Sequence, residues 1–160
     1  MGGVFMRRRA GFTLIELLIV MAIIAALMAV LIPTATGAMK KARATRLAVQ
    51  LRNYVTGLQQ WITATLPTSD DVADLDVDNA VSMGFVGQAE RDLFANGTDF
   101  NADAANSRIV ITVDYDTNDS NIANLVYNSL KDVFAGGTGS ATVTNDTEIG
   151  ITAYVQAFWW

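Results

Sequence analysis

From Leu17 to Met39 the chain carries no charged residue. An apolar run of roughly 20 residues is long enough to cross a bilayer as a helix. Arg7, Arg8 and Arg9 stand just before it. Such a cluster stays on the cytoplasmic side, so everything after the run faces outward. A secretory signal peptide and a signal anchor are the simple alternatives. The run is longer than the usual signal core of about 7–15 residues, and no small-residue cleavage site closes it. Neither alternative accounts for Glu16, which sits at the start of the run. A carboxylate inside a membrane helix costs on the order of 2.5–3.5 kcal/mol on insertion scales, so it marks a function and calls for a partner.

The net charge of -5 hides a split. Up to Asn53 there are eight basic residues and one acid, a balance of +7. From Tyr54 onward three basic residues face 15 acids, a balance of -12. A basic membrane-contacting end and an acidic soluble end follow. The 160 residues contain no Cys and no His. Disulfides, thiolate metal sites, histidine bases and the common hydrolytic triads are thereby excluded.

Arg7-Arg8-Arg9-Ala-Gly11 followed by Phe12-Thr13-Leu14-Ile15-Glu16 resembles the class III signal of type IV pilins and pseudopilins. The resemblance is dense over residues 7–33. It implies cutting after Gly11 by a prepilin peptidase and N-methylation of Phe12. Glu16 matches the family glutamate, and Pro33 the proline that ends the first apolar helical stretch. The leader has 11 residues, or six if translation starts at Met6. Cleavage leaves 149 residues with a side-chain charge of -8. The implied fold is α+β and lollipop-shaped: a long N-terminal helix packed at its far end on a small antiparallel sheet. Cutting before Phe12 creates an α-amine, with an ordinary pKa near 7.7–8.0. In a stack of helices Glu16 of one subunit meets the Phe12 amine of its neighbour. Such a buried pair sets register more than it adds net stability.

The long helix is expected from about Thr13 to about Thr65, roughly 80 Å at 1.5 Å per residue, with Pro67 stopping it. Leu47, Leu51, Tyr54, Val55, Leu58, Trp61 and Ile62 form one apolar stripe at helical spacing, read as core. Pro33 removes an N–H and predicts a kink or local melting, and Gly37 weakens the next turn. Lys40, Lys41, Arg43, Arg46 and Arg52 read as a solvated or intersubunit face. Anionic lipid and nucleic acid are the alternatives for it. Four segments result: leader 1–11, membrane and fibre-core helix 12–33, amphipathic helix 34–66, and soluble head 67–160.

Within the head, short helices are expected over Asp70–Leu75 and Asn79–Asn96, with Ala95-Asn96-Gly97 as a stop. Arg108–Tyr115 reads as a strand by its β-branched content. Asn121–Phe134 reads as a helix capped by Ser120 or Asn121 and broken by Gly136-Gly137. Ser140–Asn145 and Glu148–Phe158 read as a hairpin turning near Asn145-Asp146. Phe158-Trp159-Trp160 is too apolar to leave exposed; it is either core or a subunit contact.

Asp114, Asp116 and Asn118 alternate like the start of a calcium loop, as do Asp99, Asn101 and Asp103. Both stretches lack the turn glycine and the closing glutamate, so turns and helix caps are the favoured reading. No phosphate loop and no glycosidase spacing of carboxylates is present. Three Asn-x-Ser/Thr triplets begin at Asn96, Asn118 and Asn145, a weak glycosylation signal. No catalytic residue and no cofactor is assigned.

The expected function is a type IV pilus subunit. It starts as an inner-membrane precursor and ends in a cell-surface fimbrium, a homo-oligomeric helical filament. Prepilin peptidase and inner-membrane assembly machinery are the implied partners, and nucleic acid enters only indirectly through DNA uptake. A pseudopilin of type II secretion or DNA uptake is the alternative within the family. A membrane-anchored binding protein or enzyme is the alternative from another class.

Overall fold

The computed structural model describes residues 12–160. The leader residues Arg7, Arg8, Arg9 and Gly11 lie outside them. Helix α1 (Leu14–Thr65) is followed by α2 (Val77–Ser82) and α3 (Gln88–Phe94). Strands β1 (Thr98–Asp103) and β2 (Arg108–Asp116) lead to α4 (Ser120–Leu130). The chain closes with β3 (Gly139–Thr144) and β4 (Glu148–Gln156). The fold is α+β, with a long N-terminal helix and a four-stranded antiparallel sheet ordered β1-β2-β4-β3. Two compact units divide the chain, one up to Met39 and one over Lys40–Trp160.

In the second unit the apolar stripe of α1 is core. Leu47, Leu51, Tyr54, Val55, Leu58, Trp61 and Ile62 are all buried. The sheet meets them with one face only, because successive side chains alternate across a strand. Phe100, Ile111, Ala153 and Gly139 form one cross-strand row of that face; Thr98, Val113, Ile151 and Ala141 form the next. Trp61 packs edge-on against Phe100, with ring centres 6.0 Å apart. The Tyr54 hydroxyl and Thr98 Oγ1 lie 2.8 Å apart, and Thr98 in turn donates to the Phe94 carbonyl. Tyr54 is therefore the donor of the first bond. Burial pushes its phenol up from the ordinary range. The opposite sheet face is polar: Asp99, Thr112, Thr152 and Ser140 form one row of it.

Glycine matters where backbones meet. A side chain at Gly57 would collide with the Phe85 carbonyl, so this position seats the α2–α3 loop directly on α1. The helix ends at Thr65, where Leu66 turns left-handed (φ 50°) ahead of Pro67. Both indole nitrogens of the chain's last two residues donate to the Pro67 carbonyl at 2.9 Å. Trp159 and Trp160 thus pack on the core, whereas Phe158 stays 86% exposed.

Several expectations need correction. Thr98–Asp103 is an edge strand, neither the turn or helix cap favoured for Asp99–Asp103 nor a calcium-like loop; its pairing with β2 overrides a sequence poor in β-branched residues. The short helices expected over Asn79–Asn96 are α2 and α3, separated by a turn at Gly84 (φ 81°), and α2 begins two residues earlier, at Val77. Helix α4 is capped by neither Ser120 nor Asn121 but by Asp119, whose carboxylate accepts from the Asn121 and Ile122 amides. It stops at Leu130, yet turns after it still bury Phe134. The hairpin is as expected, with positive φ at both Asn145 and Asp146.

Candidate functional site

The amino end of α1 is built from four residues. Thr13 precedes the first helical residue, Leu14. Its backbone N–H donates to Glu16 Oε2 at 2.8 Å, and the Glu16 N–H donates back to Thr13 Oγ1 at 3.3 Å. This is a capping box, in which a Thr and the Glu three residues later satisfy each other's orphan amides. Helix N-termini also favour negative charge. Glu16 therefore has a local role in starting the helix. The sequence reading treats it only as a carboxylate in need of a cation. The Thr-x-x-Glu pattern ahead of an apolar run was the missed signal.

Phe12 is 89% exposed at the tip of this helix. From there to Met39 every residue is exposed, including Ile19, Ile23, Leu27 and Leu31. The helix holds a window of mean hydropathy 3.0 with none of it buried, so it is long and apolar enough to cross a membrane. An apolar surface of this extent requires lipid or protein around it.

Residues 6–32 match the family model for the prokaryotic N-terminal methylation motif. The chain carries a prokaryotic N-terminal methylation motif. The match supports a type IV pilin-like or pseudopilin precursor, and the apolar helix fits a membrane-anchored one. No curated protein and no solved structure matches the chain.

The methylation motif ends at the turn before Pro33. Here α1 is continuous as a helix through Pro33 and Gly37. Pro33 denies the Ala29 carbonyl its usual donor. On the next turns Thr34 Oγ1 donates to the Val30 and Leu31 carbonyls, and Thr36 Oγ1 to those of Ile32 and Pro33. These bonds compete for the same carbonyls as the helix ladder and favour bending. Nothing lies within 4 Å of where a Gly37 side chain would begin, so no contact within the chain demands glycine there.

The oxygen-rich stretches of the head are occupied with local bonds. Asp116 accepts from the Asn118 amide at 2.8 Å, and Asn118 is left-handed (φ 56°), an Asx turn. Asp114 stands over Gly150 beside Thr142. Asp103 binds Arg108 at 2.7 Å and Asn106 at 2.8 Å, and both bonds hold its carboxyl below the usual range. Asp99 and Asn101 share its strand face. Among the described residues no three acidic groups converge on a point that suits a metal.

Proposed function

We propose that the chain is the structural subunit of a type IV pilus. The observation that carries this is the methylation motif on a helix whose apolar half buries nothing within the chain. The precursor sits in the inner membrane through the Leu17–Ile32 span. Prepilin peptidase cuts after Gly11 and methylates Phe12. The inner-membrane assembly machinery then moves the helix out of the lipid into a homo-oligomeric surface filament. The helix exchanges lipid contacts for helix contacts.

Glu16 does two jobs in this scheme. One carboxylate oxygen caps its own helix through the Thr13 amide. The other is open to the Phe12 amine of the neighbouring subunit. In low dielectric an unpaired amine or carboxylate is costly, so a pair forms only when the stagger of two helices is correct. Pro33 and Gly37 are the places where the helix yields during packing.

The test is purification of surface filaments from the producing cell, followed by mass spectrometry of the subunit's N-terminus. Filaments made largely of a chain starting at methylated Phe12 support the proposal. The same processed chain confined to the membrane at low abundance points to a pseudopilin. An uncut chain overturns both.

A further inference from the structure

After Glu16, α1 contains no acid, yet it carries five cations between Lys40 and Arg52. Lys40 is paired with Asp119 at 2.7 Å. Lys41, Arg43, Arg46 and Arg52 have no carboxylate within ion-pair distance among the described residues. They are exposed: by helical spacing Arg46 lies opposite the buried stripe, with Lys41 and Arg52 together on one flank of it and Arg43 on the other. A cleft continues this face, lined by Arg52, Asn53, Gln60, Gly57 and Phe85. Its lining is largely polar, which suits another protein's polar surface better than an acyl chain.

The head offers the complement. On the polar face of the sheet Asp116 lies directly opposite Glu148, with Asp114 two residues along. Like charges directly opposite across strands are destabilising. No Lys or Arg is within ion-pair distance of these three acids among the described residues. Such an arrangement asks for cations from outside the chain, and the unpaired cations of α1 can supply them, spread from Lys41 to Arg52 over roughly 16 Å of helix.

We infer that the Lys41–Arg52 face of α1 docks on the Asp114–Asp116–Glu148 face of a second copy. This rests on the filament reading above and adds to it a polar contact between heads, separate from the apolar helix core. The two surfaces differ, so the contact is head-to-tail and propagates instead of closing into a dimer. Exposed charges are screened over about 8 Å at physiological salt, so the contact loosens as salt rises.

The chain's lack of cysteine makes a direct test possible. The full chain carrying both Arg46→Cys and Asp114→Cys is oxidised in cell membranes and in assembled material. The expected result is a ladder of trimers and longer species, with single variants giving dimers at most. Separately, Arg46→Glu with Arg52→Glu lowers assembled protein at least tenfold, and adding Asp114→Lys with Glu148→Lys restores it. Circular dichroism melts of each full chain in detergent confirm that it folds. Unchanged assembly in the reversed chain, or no ladder, overturns the inference. So does failure of the lysines to restore assembly. If the reversed chain then loses binding to phosphatidylglycerol vesicles the face reads lipid, and if it loses binding to duplex DNA it reads nucleic acid. A ladder in membranes without any filament from the wild-type chain overturns the pilus reading and leaves the contact standing.

Discussion

Helix α1 is apolar along its length but uses that property in two ways. Over Lys40–Thr65 most of its large apolar residues fall in one stripe and are buried in the core of the head, Val49 being the exposed exception. Over residues 12–39 they cover the whole circumference, and none is buried. A stripe directs a helix to one neighbour in its own chain, whereas all-round apolarity suits lipid or several neighbouring helices. The difference teaches that the head contains its own reason to fold. The N-terminal half has its purpose in what surrounds it. Mutations in the two halves should therefore separate folding from assembly.

The largest effect is expected at Glu16. Glu16→Gln can still accept from the Thr13 amide, so the cap survives while the charge is lost. In the proposed filament, leaving a neighbour's amine unpaired would cost about 3–5 kcal/mol. Filament yield should collapse while membrane insertion and the melting of the head stay unchanged. Thr13→Ala removes the reciprocal half of the capping box instead and should cost only about 0.5–2 kcal/mol. A Glu16→Gln chain that assembles normally would show that the cap, not the pair, is what matters.

Leu58→Ala reverses the pattern. It opens a cavity between α1 and the sheet and should destabilise the head by about 2–5 kcal/mol. Ile24→Ala, in the other half of the same helix, should leave the melting temperature where it is and act on assembly alone. Chemical denaturation of both variants in detergent checks this. A lowered head stability in Ile24→Ala would break the separation.

How well the sequence announced each region follows the same division. The amino end was legible because its signals are local: a charge cluster, an uncharged run, one acid and one proline. The core stripe was legible through its period, and β2 through its β-branched content. Strand β1 was not. Thr98-Asp-Phe-Asn-Ala-Asp103 has little strand propensity of its own and is held by its register with β2. The cap at Asp119 was missed by one residue, because that carboxylate also belongs to a stretch that reads as a cation loop. The placement of β4 between β2 and β3 is a long-range choice that no local pattern encodes.

The C-terminal clamp gives a smaller effect that still bears on the comparison. Trp159 and Trp160 both donate to the Pro67 carbonyl, just past the end of α1. Replacing both by Phe keeps an aromatic ring at each position, though a smaller one, and leaves the Pro67 carbonyl without these donors. A loss of about 1–3 kcal/mol is expected, read as a lower denaturation midpoint. Phe158→Ser should leave head stability unchanged, since the ring is exposed; a change in filament yield alone would assign Phe158 to a subunit contact.

The smallest effect is the acid dependence of Asp119. The hydrogen bond from Lys40 comes first among the causes that hold its carboxyl below the ordinary value of 3.8, followed by the amides of α4. A carboxyl depressed in the folded state adds stability above its unfolded pKa and loses it as pH falls through the folded one. The wild-type chain should therefore melt above Asp119→Asn at pH 6, and the gap should close as the pH is lowered below about 3.8. Asp103, held low by Asn106 and Arg108, acts equally in both chains and cancels from the difference. The pair is exposed enough for salt to weaken it, so the gap should also narrow at high ionic strength. A gap that persists unchanged into strong acid would mean that the cap's hydrogen bonds, which Asn can partly replace, matter more than the Lys40 charge.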